Sequence, residues 1–181
     1  MAFVADIRQW PTARLFAEHL AHHDPHQAAP WAQGVVIHHT WRPLPADWRG
    51  ARSMRGLAGY YTSLGWDRGP HLVVCLGAPD WRDDGIWQLT PLNERGIHAG
   101  PANATHWGIE VVGDYDAHPW PPLLAELVSA TAAALLRWRG LTVTPATLKG
   151  HRECGSPKTC PGRAIDLDAV RAELRGRVRY D

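Results

Sequence analysis

Two short runs of apolar residues constrain the fold of this chain most. Residues 35–37 are β-branched (Val-Val-Ile), follow a glycine and lead directly into the pair His38 and His39. Residues 107–112 form a second run, which contains one charged residue, Glu110, and is followed by a glycine. Continuous apolar runs of this length are typical of strands that are covered on both faces. We therefore predict a β-sheet packed between layers of helices.

Helical patterns lie between and after these strands. Residues 51–64 place Met54, Leu57, Ala58 and Tyr61 on one side of a predicted helix. Further helices are predicted over residues 12–22, 122–138 and 166–175, and further strands over residues 71–76 and 86–89. Because strands and helices mix along the chain with long connections, we expect one α/β domain with a central mixed β-sheet flanked by helices.

The composition is that of one ordinary globular domain. The chain has 181 residues, of which 45% are apolar and 20% are charged. The formal net charge of +1 gives no argument for nucleic acid or an anionic membrane as partner, and we expect neither. The first residues lack a basic segment followed by a long apolar stretch, so we expect no signal peptide and a cytoplasmic location on synthesis. The three cysteines, an odd number, then favour free thiols or a metal site over a disulfide framework.

A loop rich in glycine and proline carries potential metal ligands. Residues 150–162 (Gly-His-Arg-Glu-Cys-Gly-Ser-Pro-Lys-Thr-Cys-Pro-Gly) offer one imidazole, His151, and two thiols, Cys154 and Cys160. A catalytic zinc ion needs three protein ligands and one open position. His151 and one thiol supply two ligands, and a histidine from the strand-end pair at 38–39 would supply the third. The pattern alone leaves the choice of thiol open, and a histidine pair at a strand end is more often a surface or core feature than a metal site.

Glu110 is the second candidate for chemistry. In an extended strand it points away from the face that Ile109 and Val111 share. A carboxylate in so apolar a strand is costly to bury unless it is paired or works in a cleft. Two interpretations follow: Glu110 pairs with a nearby arginine, or it faces a reaction site.

Four places in the chain, taken in order, resemble the type-2 N-acetylmuramoyl-L-alanine amidases, a family that includes phage lytic amidases and animal peptidoglycan recognition proteins. The resemblance covers roughly residues 34–165. Residues 113–116 and the long helix that follows are most similar to the phage branch. The four places are Val-Val-Ile-His-His-Thr (35–40), Gly-Pro-His-Leu-Val-Val (69–74), Ile-His-Ala-Gly (97–100) followed by Trp-Gly-Ile-Glu (107–110), and the loop at 150–162.

The resemblance implies a ligand set for one zinc ion. His38, His151 and Cys160 match the three zinc ligands of the family. Lys158, two residues before the last ligand, matches a lysine that stabilises the reacting carbonyl in phage members. Cys154 remains a rival ligand, because it lies three residues after His151.

The resemblance also implies a general base and two residues of the substrate cleft. Glu110 matches the acidic residue that some bacterial members use as base. His98 and Asn103 match residues near the substrate. Several members carry a catalytic tyrosine at the position of Pro70, and its absence here makes Glu110 the better candidate.

The implied function is zinc-dependent cleavage of peptidoglycan at the amide between N-acetylmuramic acid and L-alanine of the stem peptide. We expect a monomeric phage or prophage endolysin, which reaches the cell wall after release. In this interpretation residues 1–33 form an N-terminal helix and loop, residues 34–165 the catalytic core and residues 166–181 a C-terminal helix. The alternatives are a cytosolic amidase that recycles anhydromuropeptides and a non-lytic peptidoglycan-binding module. Exposed tryptophans such as Trp41, Trp48 or Trp120 would provide contacts with the wall.

Overall fold

The computed structural model describes residues 3–178, which contain six strands and five α-helices. The strands are β1 (Arg8–Trp10), β2 (Gly34–His39), β3 (Leu72–Cys75), β4 (Gly85–Gln88), β5 (His106–Val111) and β6 (Leu148–Gly150). The helices are α1 (Ala13–Ala21), α2 (Pro25–Ala28), α3 (Ala51–Ser63), α4 (Pro122–Trp138) and α5 (Leu167–Arg177).

The six strands form a single sheet in the order β1-β4-β3-β5-β2-β6. The pairs β3–β5, β5–β2 and β2–β6 are parallel, whereas β1–β4 and β4–β3 are antiparallel. The predicted central mixed sheet is therefore confirmed. Because β2, β5 and β6 run in parallel, their carboxyl ends meet at one edge of the sheet, where the candidate ligands follow.

The two faces of the sheet are covered by different helices. On one face, Trp107, Ile109 and Val111 of β5 belong to a large apolar core that also includes residues of α1, α4 and α5. On the other face, Val73 and Val112 pack with Met54, Leu57 and Tyr61 of α3 in a smaller apolar cluster. The alternation along β5 thus assigns Glu110 to the face that α3 covers.

Helix α4 is the main support of the larger core. Its sequence has few polar residues on any side, and residues 131–136, including Leu135 and Leu136, are buried. It packs against α1, α5 and the centre of the sheet. A helix that is apolar nearly all round is buried in this way because it cannot place a polar face toward water.

The N-terminal extension differs from the prediction. Besides helix α1, it contains the edge strand β1, which pairs with β4, and the short helix α2 within the stretch predicted as a loop. The three residues of β1, Arg-Gln-Trp, are too few to show a periodic pattern. Residues 1–2 and 179–181, which fall within the predicted terminal segments, lie outside the described residues.

The three tryptophans proposed for wall contact differ in exposure. Trp41 is 61% exposed, as that proposal requires. Trp48 is fully buried, and its indole N–H donates to the carbonyl of Asp83. Trp120 is buried as well, against the ring of Tyr115. For Trp48 and Trp120 the prediction was wrong, because large rings stabilise the core wherever they can be covered. Within residues 3–178, no helix is long and apolar enough to span a membrane.

Candidate metal centre

Three side chains meet where β2 and β6 end. His38 lies at the end of β2, and His151 begins the single turn that follows β6. Ile37 and Gly150 are partners in the parallel ladder, so the residues that follow them emerge side by side. Cys160 approaches from the loop that follows, with its Sγ 3.7 Å from Nδ1 of His38. One ligand atom from each of these residues lies within 4.8 Å of the others, a group that could hold one metal ion.

The structure distinguishes the potential ligands His38 and Cys160 from the rival residues His39 and Cys154. Nδ1 of His39 accepts the backbone N–H of Tyr115, so its ring is turned away from the group. The thiol of Cys154 lies 3.7 Å from the carbonyl of Gly150 and outside the group. The alternation of side chains along β2 thus selects His38, and the path of the loop selects Cys160.

Burial sets the protonation of the three groups. It is the main cause that lowers the pKa of His38 well below its usual value, and His98 and His151 lower it further. Burial also lowers the pKa of His151, with Lys158 as a second cause. Both imidazoles are therefore neutral at pH 7, which is the form that binds a metal. Burial raises the pKa of the Cys160 thiol to about 12, and this thiol must lose its proton to become a ligand.

The turn that carries His151 is braced by a buried arginine from α5. Arg171 is only 3% exposed and pairs with Glu153, while its Nε donates to the carbonyl of Leu148 at 3.0 Å. The carboxylate of Glu153 in turn accepts the N–H of Gly150 at 3.0 Å. This network fixes the backbone on both sides of the ligand. Because Arg171 lies 18 residues after Glu153, local sequence patterns do not reveal this network.

The loop that carries Cys160 is held from two sides. The guanidinium of Arg152 donates to the carbonyls of Gly162 and Ile165 at 2.7 and 2.6 Å. On the other side, Asp116 accepts the hydroxyl of Thr159 at 3.0 Å. Arg152 and Asp116 are thus structural residues of the site, a role that the sequence motifs alone do not indicate.

Glu110 lies beside the group, on the strand next to His38. The two residues are partners in the β2–β5 ladder. Glu110 is buried, its Oε2 has no hydrogen-bond partner among the described residues, and no ion pair within residues 3–178 includes it. Burial raises its pKa to about 7, although the charge of Lys158 opposes this shift. The interpretation of Glu110 as the partner of an arginine is therefore wrong, and a carboxyl group poised near neutrality faces the cleft.

These residues open into a cleft of about 700 Å³. Lys158 is exposed at its wall, in the same loop as Cys160. Pro70 lies in the wall where the resemblance placed a tyrosine in other members. Tyr61 of α3 lines the same cleft, with its ring stacked on Trp66 at 5.4 Å between centroids. Burial raises the pKa of Tyr61 well above its usual value, with the charge of Glu110 as the second cause.

The two residues expected near the substrate occupy different positions. His98 lines the cleft, and its Nδ1 is 3.0 Å from Nε2 of His38. Asn103 is instead turned toward the backbone of the 97–100 loop, where its Oδ1 accepts the N–H of His98 at 2.9 Å and that of Ala99 at 2.6 Å. The structure therefore brings His98 to the metal group and gives Asn103 a role in holding it.

The comparison with known families identifies the family to which this chain belongs. The sequence profile of N-acetylmuramoyl-L-alanine amidase matches residues 27–163. The chain belongs to this amidase family. The resemblance deduced from the four sequence motifs is thereby confirmed, and the protein is an amidase that acts on peptidoglycan. The comparison with curated protein sequences gave no match to this chain.

Solved structures share the fold of this amidase. The endolysin amidase LysCS of Clostridium intestinale is 22% identical, with a TM-score of 0.64 over 80% of this chain and 84% of its own. A point mutant of Drosophila PGRP-LB in complex with tracheal cytotoxin is 24% identical, with a TM-score of 0.62 over 76% of this chain and 79% of its own. The Ph2119 endolysin of a Thermus scotoductus phage is 23% identical, with a TM-score of 0.51 over 80% and 84% of the two chains. At these identities the likeness concerns the fold alone.

Proposed function

We propose that this amidase is a zinc-dependent lytic enzyme that cleaves the amide between N-acetylmuramic acid and L-alanine of peptidoglycan. One observation carries the proposal: the group of His38, His151 and Cys160 lies in the same cleft as Glu110, a buried carboxyl group whose Oε2 has no hydrogen-bond partner within residues 3–178. Metal ligands alone would fit a structural site. A poised carboxyl group beside them fits hydrolysis.

The donor set supports zinc as the metal. Two neutral imidazoles and one thiolate are ligands that zinc accepts, and three protein ligands leave a fourth position open in catalytic sites. The partly exposed His151 and the cleft beside it leave room for a substrate on that side. Zinc, when bound, acts as a Lewis acid that polarises a carbonyl group and makes water a better nucleophile at neutral pH.

Glu110 and Lys158 have complementary roles in this proposal. In its ionised form, Glu110 accepts a proton from the attacking water and then delivers it to the nitrogen of the leaving L-alanine. The ammonium group of Lys158 donates hydrogen bonds to the carbonyl oxygen as negative charge develops there. The charge of Lys158 lowers the pKa of Glu110, an effect that supports the placement of both residues around one reacting amide.

The rim of the cleft supports a polymeric substrate. Trp41 and Tyr60 line the cleft and are 61% and 58% exposed. Exposed aromatic rings offer apolar faces on which sugar rings can stack. A lytic role also agrees with the name endolysin, which two of the structurally similar proteins carry.

The test is digestion of purified sacculi, with mass spectrometry of the soluble products. We expect free stem peptides with an L-alanine amino terminus, no product after treatment with a chelator, and recovery when zinc is added back. Binding to sacculi without any release of peptides would contradict catalysis and favour a binding module.

A parallel assay separates lysis from recycling. The same enzyme is given soluble anhydromuropeptides and intact sacculi at equal concentrations of stem peptide. We expect sacculi to be cleaved with the higher efficiency. Turnover of the soluble fragments alone would favour the recycling role and overturn the lytic one.

A further inference from the structure

A chain of hydrogen bonds leads from His38 into the interior. Nε2 of His38 is 3.0 Å from Nδ1 of His98, and Nε2 of His98 is 3.0 Å from the carbonyl oxygen of His106. Nδ1 of His38 faces the other way, toward Sγ of Cys160. Every nitrogen of the two rings therefore has a defined neighbour, so the positions of the hydrogens can be deduced.

The deduction starts at the carbonyl group, which can only accept a hydrogen bond. Nε2 of His98 must therefore carry a hydrogen and donate it to His106. His98 is 8% exposed, and within residues 3–178 none of its hydrogen bonds is to a carboxylate, so a second hydrogen would bury a positive charge without a partner. Nδ1 of His98 is then without hydrogen and accepts from Nε2 of His38. This leaves Nδ1 of His38 with a free lone pair on the side of Cys160.

Two further residues hold the His98 ring in the orientation that this chain needs. Gly108 lies beneath the ring, and a Cβ atom there would come within 2.7 Å of Cγ of His98. Any other residue at 108 would push the ring away from the strand. Asn103 fixes the backbone, since its Oδ1 accepts the N–H groups of His98 and Ala99. The motifs around 97–100 and 107–110 thus meet in one structural unit.

We propose that His98 is a positioning residue that selects the tautomer of His38 and so presents Nδ1 of that residue to the metal. This inference rests on the proposed zinc site, but the tautomer exists whether or not zinc is bound. Partners of this kind orient a ligand and raise its basicity, and their loss commonly lowers metal affinity about 10- to 100-fold.

His71 provides a matched control. It is a buried histidine whose ring centroid lies 5.8 Å from that of His98. Its Nδ1 accepts the N–H of Gly108 at 2.9 Å, and its Nε2 is 2.9 Å from the carbonyl oxygen of Glu94. It has no hydrogen bond with a ligand of the metal group. His71→Leu therefore removes a buried ring of the same size without touching the tautomer of His38.

The first experiment measures the tautomer directly. Nitrogen-15 NMR of the chelator-treated protein reports which ring nitrogen of His38 carries hydrogen. We expect hydrogen on Nε2 in the wild type and in His71→Leu, and a mixture of both tautomers in His98→Leu. Hydrogen on Nδ1 of His38 in the wild type, or an unchanged tautomer in His98→Leu, overturns the proposal. Because no zinc is present, this result is independent of the proposed function.

The second experiment measures zinc affinity by competition with a chromogenic chelator. We expect His98→Leu to bind zinc about 10- to 100-fold more weakly, and His71→Leu to bind it as the wild type does. His98→Asn should recover part of the affinity, because its Oδ1 can accept from His38. Equal losses in His98→Leu and His71→Leu, in proteins with native circular dichroism, would reduce His98 to a packing residue. A wild type that binds no zinc would instead refute the proposed function.

Discussion

The two faces of the sheet have different roles, although the same strands form both. Ile109 and Glu110 are neighbours on β5, yet Ile109 is fully buried in the apolar core under α4, whereas Glu110 is buried beside His38 on the face that α3 covers. The first face gains stability from every side chain that it buries. The second face holds titratable groups out of water, which costs stability wherever they lack partners. The comparison teaches that one face of the sheet carries the larger apolar core, whereas the other combines a smaller apolar cluster with the titratable groups of the site.

The largest effect is expected from the thiol that completes the metal group. Cys160→Ser removes the thiolate ligand and should reduce both zinc content and release of stem peptides to background, because a hydroxyl group is a poor substitute for a thiolate at zinc. Cys154→Ser is the matched control from the same loop and should keep both. Zinc content by atomic absorption and product release from sacculi give the answer. Zinc retained in Cys160→Ser and lost in Cys154→Ser would reverse the assignment of the ligand.

Much of the chemical face could be predicted from sequence, because its residues lie in short motifs at strand ends. The run at 35–37 predicted β2, and alternation assigned Glu110 a face different from that of Ile109. The choice between His38 and His39, and between Cys154 and Cys160, came only from the family resemblance, since spacing does not specify which way a strand-end ring or a loop thiol turns. The structure gives the physical reason in the hydrogen bond of His39 with Tyr115.

The next effect is expected from the carboxyl group on the chemical face. Glu110→Gln keeps the shape of the side chain and removes its ability to accept a proton. We expect kcat on sacculi to fall about 10²- to 10⁴-fold, which is the usual contribution of a general base, while zinc content stays unchanged. Activity near the wild-type level would remove Glu110 from the mechanism. Tyr61, whose ring lines the same cleft, would then be the first residue to replace by phenylalanine.

The supports of the site could not be predicted in the same way. Arg171 and Glu153 are 18 residues apart, and Tyr61 reaches the cleft from a helix whose apolar side the sequence assigned to packing alone. Contacts of this kind depend on how helices sit on the sheet, which local periodicity does not determine. The burial of Trp48 could not be predicted either. This tryptophan lies in a polar stretch of sequence, yet its side chain is fully buried.

A third effect concerns the free energy of unfolding, which the buried carboxyl group of Glu110 is expected to lower when it is ionised. Its pKa is raised from 4.5 to about 7 in the folded chain, so the folded state binds more protons than the unfolded state between these values. The stability associated with the protonated carboxyl group is therefore complete below pH 4.5 and is lost as pH rises through about 7. Relative to Glu110→Gln, the chelator-treated wild type should lose about 3 kcal/mol over this range. Urea denaturation of both proteins across the range measures the difference, and parallel curves would show that the carboxyl group carries no such cost.

The smallest effect is expected on the apolar face. Ile109→Val removes one buried methylene-sized group from the core under α4 and should lower the free energy of unfolding by about 0.5–1.5 kcal/mol. Since Ile109 points away from the cleft, kcat/KM on sacculi should stay within about twofold of the wild type. Glu110→Gln and Ile109→Val thus form a pair of adjacent changes. Glu110→Gln should lower activity with little loss of stability, whereas Ile109→Val should lower stability with little loss of activity. Urea denaturation and stem-peptide release, measured on both proteins, test the pair. A marked fall of kcat/KM in Ile109→Val would mean that the two faces are coupled through β5, because the backbone of this strand would then carry a packing change from one side to the carboxyl group on the other.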